Sequence, residues 1–211
     1  MAEPQPLLRR SVGGRVPARR HPRRGRRSAP GWPRHRRRVS EPEIRRAVPG
    51  DAAGLAALGR EIGAEPEGWL ISDGGFPGAR AERRYLRAIR RSRNAAVFVA
   101  EAPEGIVGRL SLARDSHPAS RHVADLGLMV ARSHRRQGVG RALLAQAVEW
   151  AREVGVTKLE LHVFPHNEPA LRLYEKVGFE REGYRKGHFL RGGEPIDAIL
   201  MALEVAPTLE A

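Results

Sequence analysis

Apolar positions along the 211-residue chain recur in two rhythms, every second residue or every third to fourth, and each change of rhythm predicts a new element. Glu43–Ala47 reads as a short strand, with Ile44, Ala47 and Val48 as its apolar positions. Pro49-Gly50-Asp51 then opens a helix, because Pro and Asp suit a first turn and Leu55, Leu58 and Ile62 follow at helical spacing. Residues 64–78, interrupted by Pro66 and Pro77, predict a loop, and Ala79–Arg91 a basic helix with Tyr85, Leu86 and Ile89 on one side. Ala95–Ala100 and Ile106–Leu112 are strands around a hairpin turn at Pro103-Glu104-Gly105. After a turn at His117–Ser120, His122–Val130 is a third consecutive strand.

The strongest helix is Gly138–Val154, where Leu143, Leu144, Ala147, Val148, Ala151 and Val154 make an apolar stripe that Gly155 ends. In Lys158–Phe164 the alternation is strict: Leu159, Leu161 and Val163 face one way, Glu160, His162 and Phe164 the other. Asn167 caps a short helix to Val177, with Gly178 at its end, and strands around Glu180–Arg185 and Ile196–Glu204 complete the chain. The order β-α-α-β-β-β-α-β-α-β-β predicts an α/β (α+β mixed) fold. Its central mixed sheet is flanked by helices, antiparallel early and parallel across the Gly138 helix.

Charge divides the chain rather than describing it. Of the net +14, residues 1–40 hold +12, from 13 arginines and the single acid Glu3, so residues 41–211 carry only +2. Residues 1–38, rich in Arg, Pro and Gly, have too little apolar surface to offset the entropy of ordering and read as a disordered tail. Three readings of that tail stand: a nucleic-acid-binding arm, an organellar transit peptide, or translated upstream sequence with Val39 marking the true start. The last is favoured, because every recognisable feature begins at Val39-Ser40-Glu41. One domain over 41–206 is expected. The absence of cysteine excludes a disulfide scaffold, a cysteine nucleophile and thiolate metal sites. With Ala198–Leu203 as the longest apolar run near the C-terminus and no signal-type apolar segment, a cytoplasmic chain without membrane contact is expected.

Candidate chemistry gathers where the third strand of that run passes into the Gly138 helix. Arg135, Arg136, Gln137, Gly138, Val139 and Gly140 join the two, and the unpaired amides of the helix start form an anion site suited to a pyrophosphate. Arg135, Arg136 and Arg141 add positive charge. The segment is neither a Walker loop, lacking Gly-Lys-Ser/Thr, nor the three-glycine dinucleotide fingerprint. His162 and His166 do not make a metal pair, since no further ligand cluster completes a tetrahedral site.

Arg135-x-x-Gly138-x-Gly140, preceded by LGLMVA (126–131) and followed by RALLAQAVEWA, resembles the acetyl-CoA motif of the GNAT superfamily of N-acetyltransferases. HNEPALRLYEKVGF (166–179) resembles a second block of that superfamily, in the expected order, and the likeness covers roughly 41–205. It implies a GNAT-like acyl-CoA N-acyltransferase fold and acetyl-CoA as co-substrate, with no metal. Backbone groups of Leu128, Met129 and Val130 would pair with the pantetheine arm, amides from Arg136 to Arg141 would hold the pyrophosphate, and Asn167 would bond the cofactor near its thioester. Tyr174 would stand beside the thioester sulfur as proton donor.

For the base, some members place a carboxylate five residues before the motif asparagine. Here that position is His162, with Glu160 one pleat away and Asp125 on the preceding strand as further candidates. The resemblance implies an N-acetyltransferase acting on a primary amine by direct attack, the acceptor being an amino acid, a small amine or a protein N-terminus. The acceptor would face residues 64–78, 79–91 and 185–195, and the protein would be a monomer or homodimer. The alternative is a non-catalytic acyl-CoA-binding module, or a protein that docks on RNA through residues 1–38, the only part that points to nucleic acid.

Overall fold

The computed structural model describes residues 42–71 and 75–206, all within one compact unit, Arg37–Ala211. The tail over 1–38 lies outside the described residues. Strand β1 (Glu43–Arg46) leads through a 3-10 turn at Pro49–Asp51 into helix α1 (Ala52–Gly63), and helix α2 (Ala79–Ile89) follows the loop. Strands β2 (Ala95–Ala102), β3 (Gly105–Arg114) and β4 (Val123–Val130) form a meander. Helix α3 (Val139–Val154), strand β5 (Lys158–Val163), helix α4 (Glu168–Val177) and strands β6 (Glu180–Arg191) and β7 (Glu194–Glu204) complete the chain. The element order is the one the sequence predicts.

The seven strands form one sheet in the order β1-β2-β3-β4-β5-β7-β6, antiparallel everywhere except between β4 and β5. That parallel pair is the one bridged by α3, as a helical crossover requires. The two faces are covered by different helices. Val97 and Val99 of β2 pack with Ala52, Leu55 and Leu86 of α1 and α2. The alternate residues face α3: a Cβ added at Gly108 would meet Leu143, Val139 and Ala100. Leu143, Leu144 and Trp150 of α3 are buried, as are Leu110, Leu112, Leu159, Leu161 and Met201 of the sheet, and truncating such a leucine to alanine typically costs about 2–5 kcal/mol.

Three expectations need correction. Val48 is 51% exposed and belongs to no apolar face, because β1 stops at Arg46 and the chain turns into the 3-10 segment. Phe164 is buried and lies one residue beyond β5, so the strand ends before it, although its ring meets Phe189 on the side where His162 also does. The last two strands are longer than the alternation suggests. Register shifts between Arg181 and Gly183 and between Arg185 and Phe189 absorb the irregular segment, and Arg191 pairs with Glu194 across Gly192-Gly193. Both of those glycines have positive φ, 57° and 84°, as a two-residue hairpin turn of this hand demands. Among the described residues no helix is long and apolar enough to cross a membrane.

Candidate active site

Strands β4 and β5 pair only at Val123↔Lys158, Ala124↔Leu159 and Asp125↔Glu160, and past those three pairs they separate. The phase of β4 is fixed by two bonds to the β3 side, Asp115 N–H to the Val123 carbonyl at 3.0 Å and Ala131 N–H to the Val107 carbonyl at 2.8 Å. Odd-numbered residues, Met129 among them, therefore direct their backbone polar groups to β3, and Leu126, Leu128 and Val130 direct theirs into the opening. The Val130 carbonyl accepts from Arg135 Nε at 3.0 Å. A cleft of about 850 Å³ occupies this opening. It is lined by Leu128, Met129, Val130, Arg135, Arg136, Gly138, Gly140, Arg141, Asn167, Tyr174 and His162, which gathers most of the residues singled out in the sequence.

The start of α3 is built as an anion cradle. Arg136 (φ 62°) and Gly138 (φ 91°) both adopt left-handed backbone, which turns successive amides to one side. The first helical bond runs from Ala142 N–H to the Gly138 carbonyl at 2.9 Å, so the amides of Val139 and Gly140 precede the helical ladder, and Gly138 has no side chain to cap them. A Cβ on Gly138 would meet nothing within 4 Å, so its glycine is required by conformation alone. A Cβ on Gly140 would come within 2.9 Å of Leu173 Cδ2, so that glycine permits the approach of α4.

The neighbouring side chains have separate duties. Gln137 donates to the Ser133 carbonyl at 2.7 Å, and Val139 is buried under the sheet; neither side chain lines the cleft. Arg135 lines the cleft and is also a brace. Its two terminal nitrogens reach both oxygens of Glu65 at 2.7 and 2.5 Å, and Glu65 is only 6% exposed. The pair fixes the loop after α1 to the turn before α3. The same loop is held by His166 Nε2 at 3.2 Å from the Glu67 carbonyl and by Arg191 donating to the Gly68 carbonyl at 2.6 Å.

Asn167 caps α4 as predicted, its Oδ1 accepting from Ala170 N–H at 3.3 Å. Leu171, Tyr174 and Val177 form the buried side of that helix. Burial raises the Tyr174 phenol well above its ordinary range, which keeps it protonated at neutral pH. Its ring packs at a tilt on Phe179, with centroids 5.6 Å apart.

The structure separates the three candidate bases. Asp125, Glu160 and His162 share the α1/α2 face of the sheet, but only His162 lines the cleft. Glu160 is paired with Lys158 at 2.8 Å. The Asp125 carboxyl is pushed up by desolvation and by the carboxylates of Glu160 and Asp115. The His162 imidazole is pushed down, first by desolvation and then by Arg185 and His188, so it is neutral at pH 7. Its ring stacks on His188 at 4.9 Å and meets the edge of Phe189 at 5.7 Å.

Of the segments expected to face an acceptor, the loop after α1 lines the cleft through Trp69, Leu70, Ile71 and Phe76. Helix α2 does not, because Glu82 and Leu86 bury its inner side in the fold. Residues 185–195 act at one remove, through His188 and Phe189 against His162. Sequence reasoning missed Arg109 of β3, which lines the cleft with Ser111. Its one available signal was an arginine amid the apolar residues of a central strand.

A sheet that opens between its two parallel strands, onto the start of a helix, leaves a cleft bordered by a strand edge and a helix N-terminus. The chain belongs to the GNAT acetyltransferase family: the profile described as Acetyltransferase (GNAT) family matches residues 65–179. It is similar to the L-amino acid N-acetyltransferase AaaT of Escherichia coli K12, with 41% identity over 101 residues, covering 46% of this chain and 60% of that protein. The chain spans about half the length of the curated relatives it matches. Among solved structures, the GNAT acetyltransferase of Streptococcus pneumoniae superposes with a TM-score of 0.71 at 30% identity, covering 79% of this chain and 100% of that one. The fold is also that of yncA from Salmonella typhimurium, solved with its cofactor acetyl-CoA, at TM-score 0.68 and 19% identity over 80% and 96% of the two chains.

Proposed function

We propose that the protein is an acetyl-CoA-dependent N-acetyltransferase that acetylates a primary amine by direct attack. The observation that carries the reading is the opening of β4 from β5, which leaves Leu126, Leu128 and Val130 with backbone groups aimed into a cleft that ends on the amides of α3. These residues fit the cofactor: the strand edge suits the amides of a pantetheine arm, and the α3 start suits a pyrophosphate. Acetyl-CoA, when bound, supplies the thioester. A backbone N–H of β4 then polarises the acetyl carbonyl. His162, neutral at pH 7, accepts the proton of the attacking amine, directly or through water. Tyr174, held protonated by burial, donates to the departing thiolate.

Members of the family need no covalent enzyme intermediate for this reaction, and the chain has no cysteine to form one. The acceptor is an amino acid, a small amine or a protein N-terminus, and the likeness to a relative named for L-amino acid acetylation supports the first. The test is thiol release from acetyl-CoA across a panel of amines. Release dependent on an amine supports the reading; binding of acetyl-CoA without turnover of any amine defeats it in favour of a non-catalytic binding module.

A further inference from the structure

Among the described residues, three buried side-chain polar atoms have no hydrogen-bond partner: Trp69 Nε1, Arg109 Nε and His162 Nε2. All three residues line the one cleft. Buried polar groups are normally satisfied, so three orphans on residues that line one cavity single it out as a place where a ligand's polar atoms would be matched. Arg109 is fixed before any ligand arrives. Its Nη2 lies 3.3 Å from Oε1 of Glu82, whose side chain is 3% exposed, and its guanidinium sits 5.1 Å from the centre of the Phe76 ring. Glu82 does not itself line the cleft.

The face on which Arg109 stands separates it from the anion cradle. Leu128 and Val130 touch the Gly140 region of α3 on one face of the sheet. Arg109 is paired with Met129 and Val99, on the opposite face, where the register also puts His162. A pyrophosphate at α3 therefore leaves Arg109 to another anion. The donor atoms Arg109 Nε and Trp69 Nε1 suit an acceptor of hydrogen bonds, and neutral His162 suits a donor of them. One molecule that offers both is a compound with a carboxylate and an amine.

We infer that Arg109 is the specificity residue of the acceptor site and binds the free carboxylate of an α-amino acid, whose apolar side chain lies among Trp69, Ile71 and Phe76. The inference rests on the acetyltransferase reading and narrows its acceptor from any primary amine to one with a free carboxylate. A peptide N-terminus, which has an amide in that place, is excluded. A site built around a buried charged donor discriminates strongly against a substrate that leaves the donor unpaired.

The experiment uses the full chain with acetyl-CoA and three matched sets of acceptors. L-leucine, L-methionine and L-phenylalanine are each compared with the corresponding amide and with the amine lacking the carboxyl group. The amides are weaker bases, more often neutral, so intrinsic reactivity opposes the predicted order. Expected is a kcat/KM for at least one free acid about 100-fold or more above its amide. Because Arg109→Gln alone leaves Glu82 buried without its partner, the variant is Arg109→Gln with Glu82→Gln, its folding checked by calorimetric binding of acetyl-CoA. In that variant the ratio of acid to amide falls below about 10, whereas Glu82→Gln alone retains a preference for the acid. Turnover of amides as fast as acids by the unaltered protein, or an unchanged ratio in the double variant, overturns the inference and leaves the acetyltransferase reading standing. No turnover of any amine overturns both.

Discussion

On the α3 face of the opened sheet, the groups that border the cleft are backbone ones: the edge of β4 that faces the opening and the first turn of a helix started by Arg136 and Gly138 in left-handed conformation. On the α1/α2 face they are side chains drawn from distant parts of the chain, Trp69 after α1, Arg109 on β3 and His162 on β5. Backbone donors tolerate most side chains but demand particular backbone angles, so they leave a compact glycine-marked segment. Side-chain donors demand particular residues and leave no local pattern. Arg135 and Glu65 join the two constructions, tying the loop of one to the turn of the other.

The comparison is open to attack at several points. The largest effect belongs to Tyr174→Phe, which removes only the phenol that a buried proton donor needs. We expect amine-dependent thiol release to fall about 100-fold or more, with acetyl-CoA binding by calorimetry retained. Equal turnover would remove Tyr174 from the chemistry. Next is His162→Gln, expected to lower kcat/KM about 30-fold, within the range of a lost general base.

Its pH profile is the sharper readout. Protonation of the amine alone makes log kcat/KM fall with slope one as pH drops. Because the His162 pKa is depressed, its base form persists through neutrality and is lost only below the ordinary histidine value of about 6.5, where the slope should steepen to two. The variant should keep slope one throughout.

Arg135→Ala tests the link between the faces. It strands the nearly buried Glu65 carboxylate, and we expect a loss of about 2 kcal/mol in urea unfolding, below the usual range for a fully buried pair because Arg135 is partly exposed. Both KM values should rise together. The smallest effect is Gly138→Ala, where the new Cβ clashes with nothing and only the left-handed backbone resists. A strain of about 1 kcal/mol should raise the KM for acetyl-CoA about 5-fold and leave that for the amine alone. A rise in the amine's KM instead would show that the two faces are not separately built.

Much of the fold was legible because each amphipathic period matches its element. The stripe from Leu143 to Ala151 is α3, and the alternation from Leu159 to Val163 is β5. The long C-terminal hairpin was not, because its two bulges break the period of two that reveals a strand, although Gly192-Gly193 was a readable turn signal. In the site, the α3 start and the Asn167 cap followed from local spacing, whereas Tyr174 came from the resemblance of residues 166–179 to a family block. The duty of Arg135 as a brace followed from neither. Its partner Glu65 stands 70 residues away, and nothing near either residue records the pairing. Arg109 and Glu82 are hidden for the same reason.

A ladder that narrows to three rungs between β4 and β5 also has a mechanical meaning. The sheet is two plates sharing a short seam, one made of β1 to β4 and the other of β5, β7 and β6. Any occupant that bonds the free edge of β4 lengthens that seam and works as a splint. Hydrogen exchange at the amides of β4 that face the opening and at those of β5 should therefore slow more than exchange in β2, far from the seam, so that loading the cleft is felt as stiffness across the middle of the molecule.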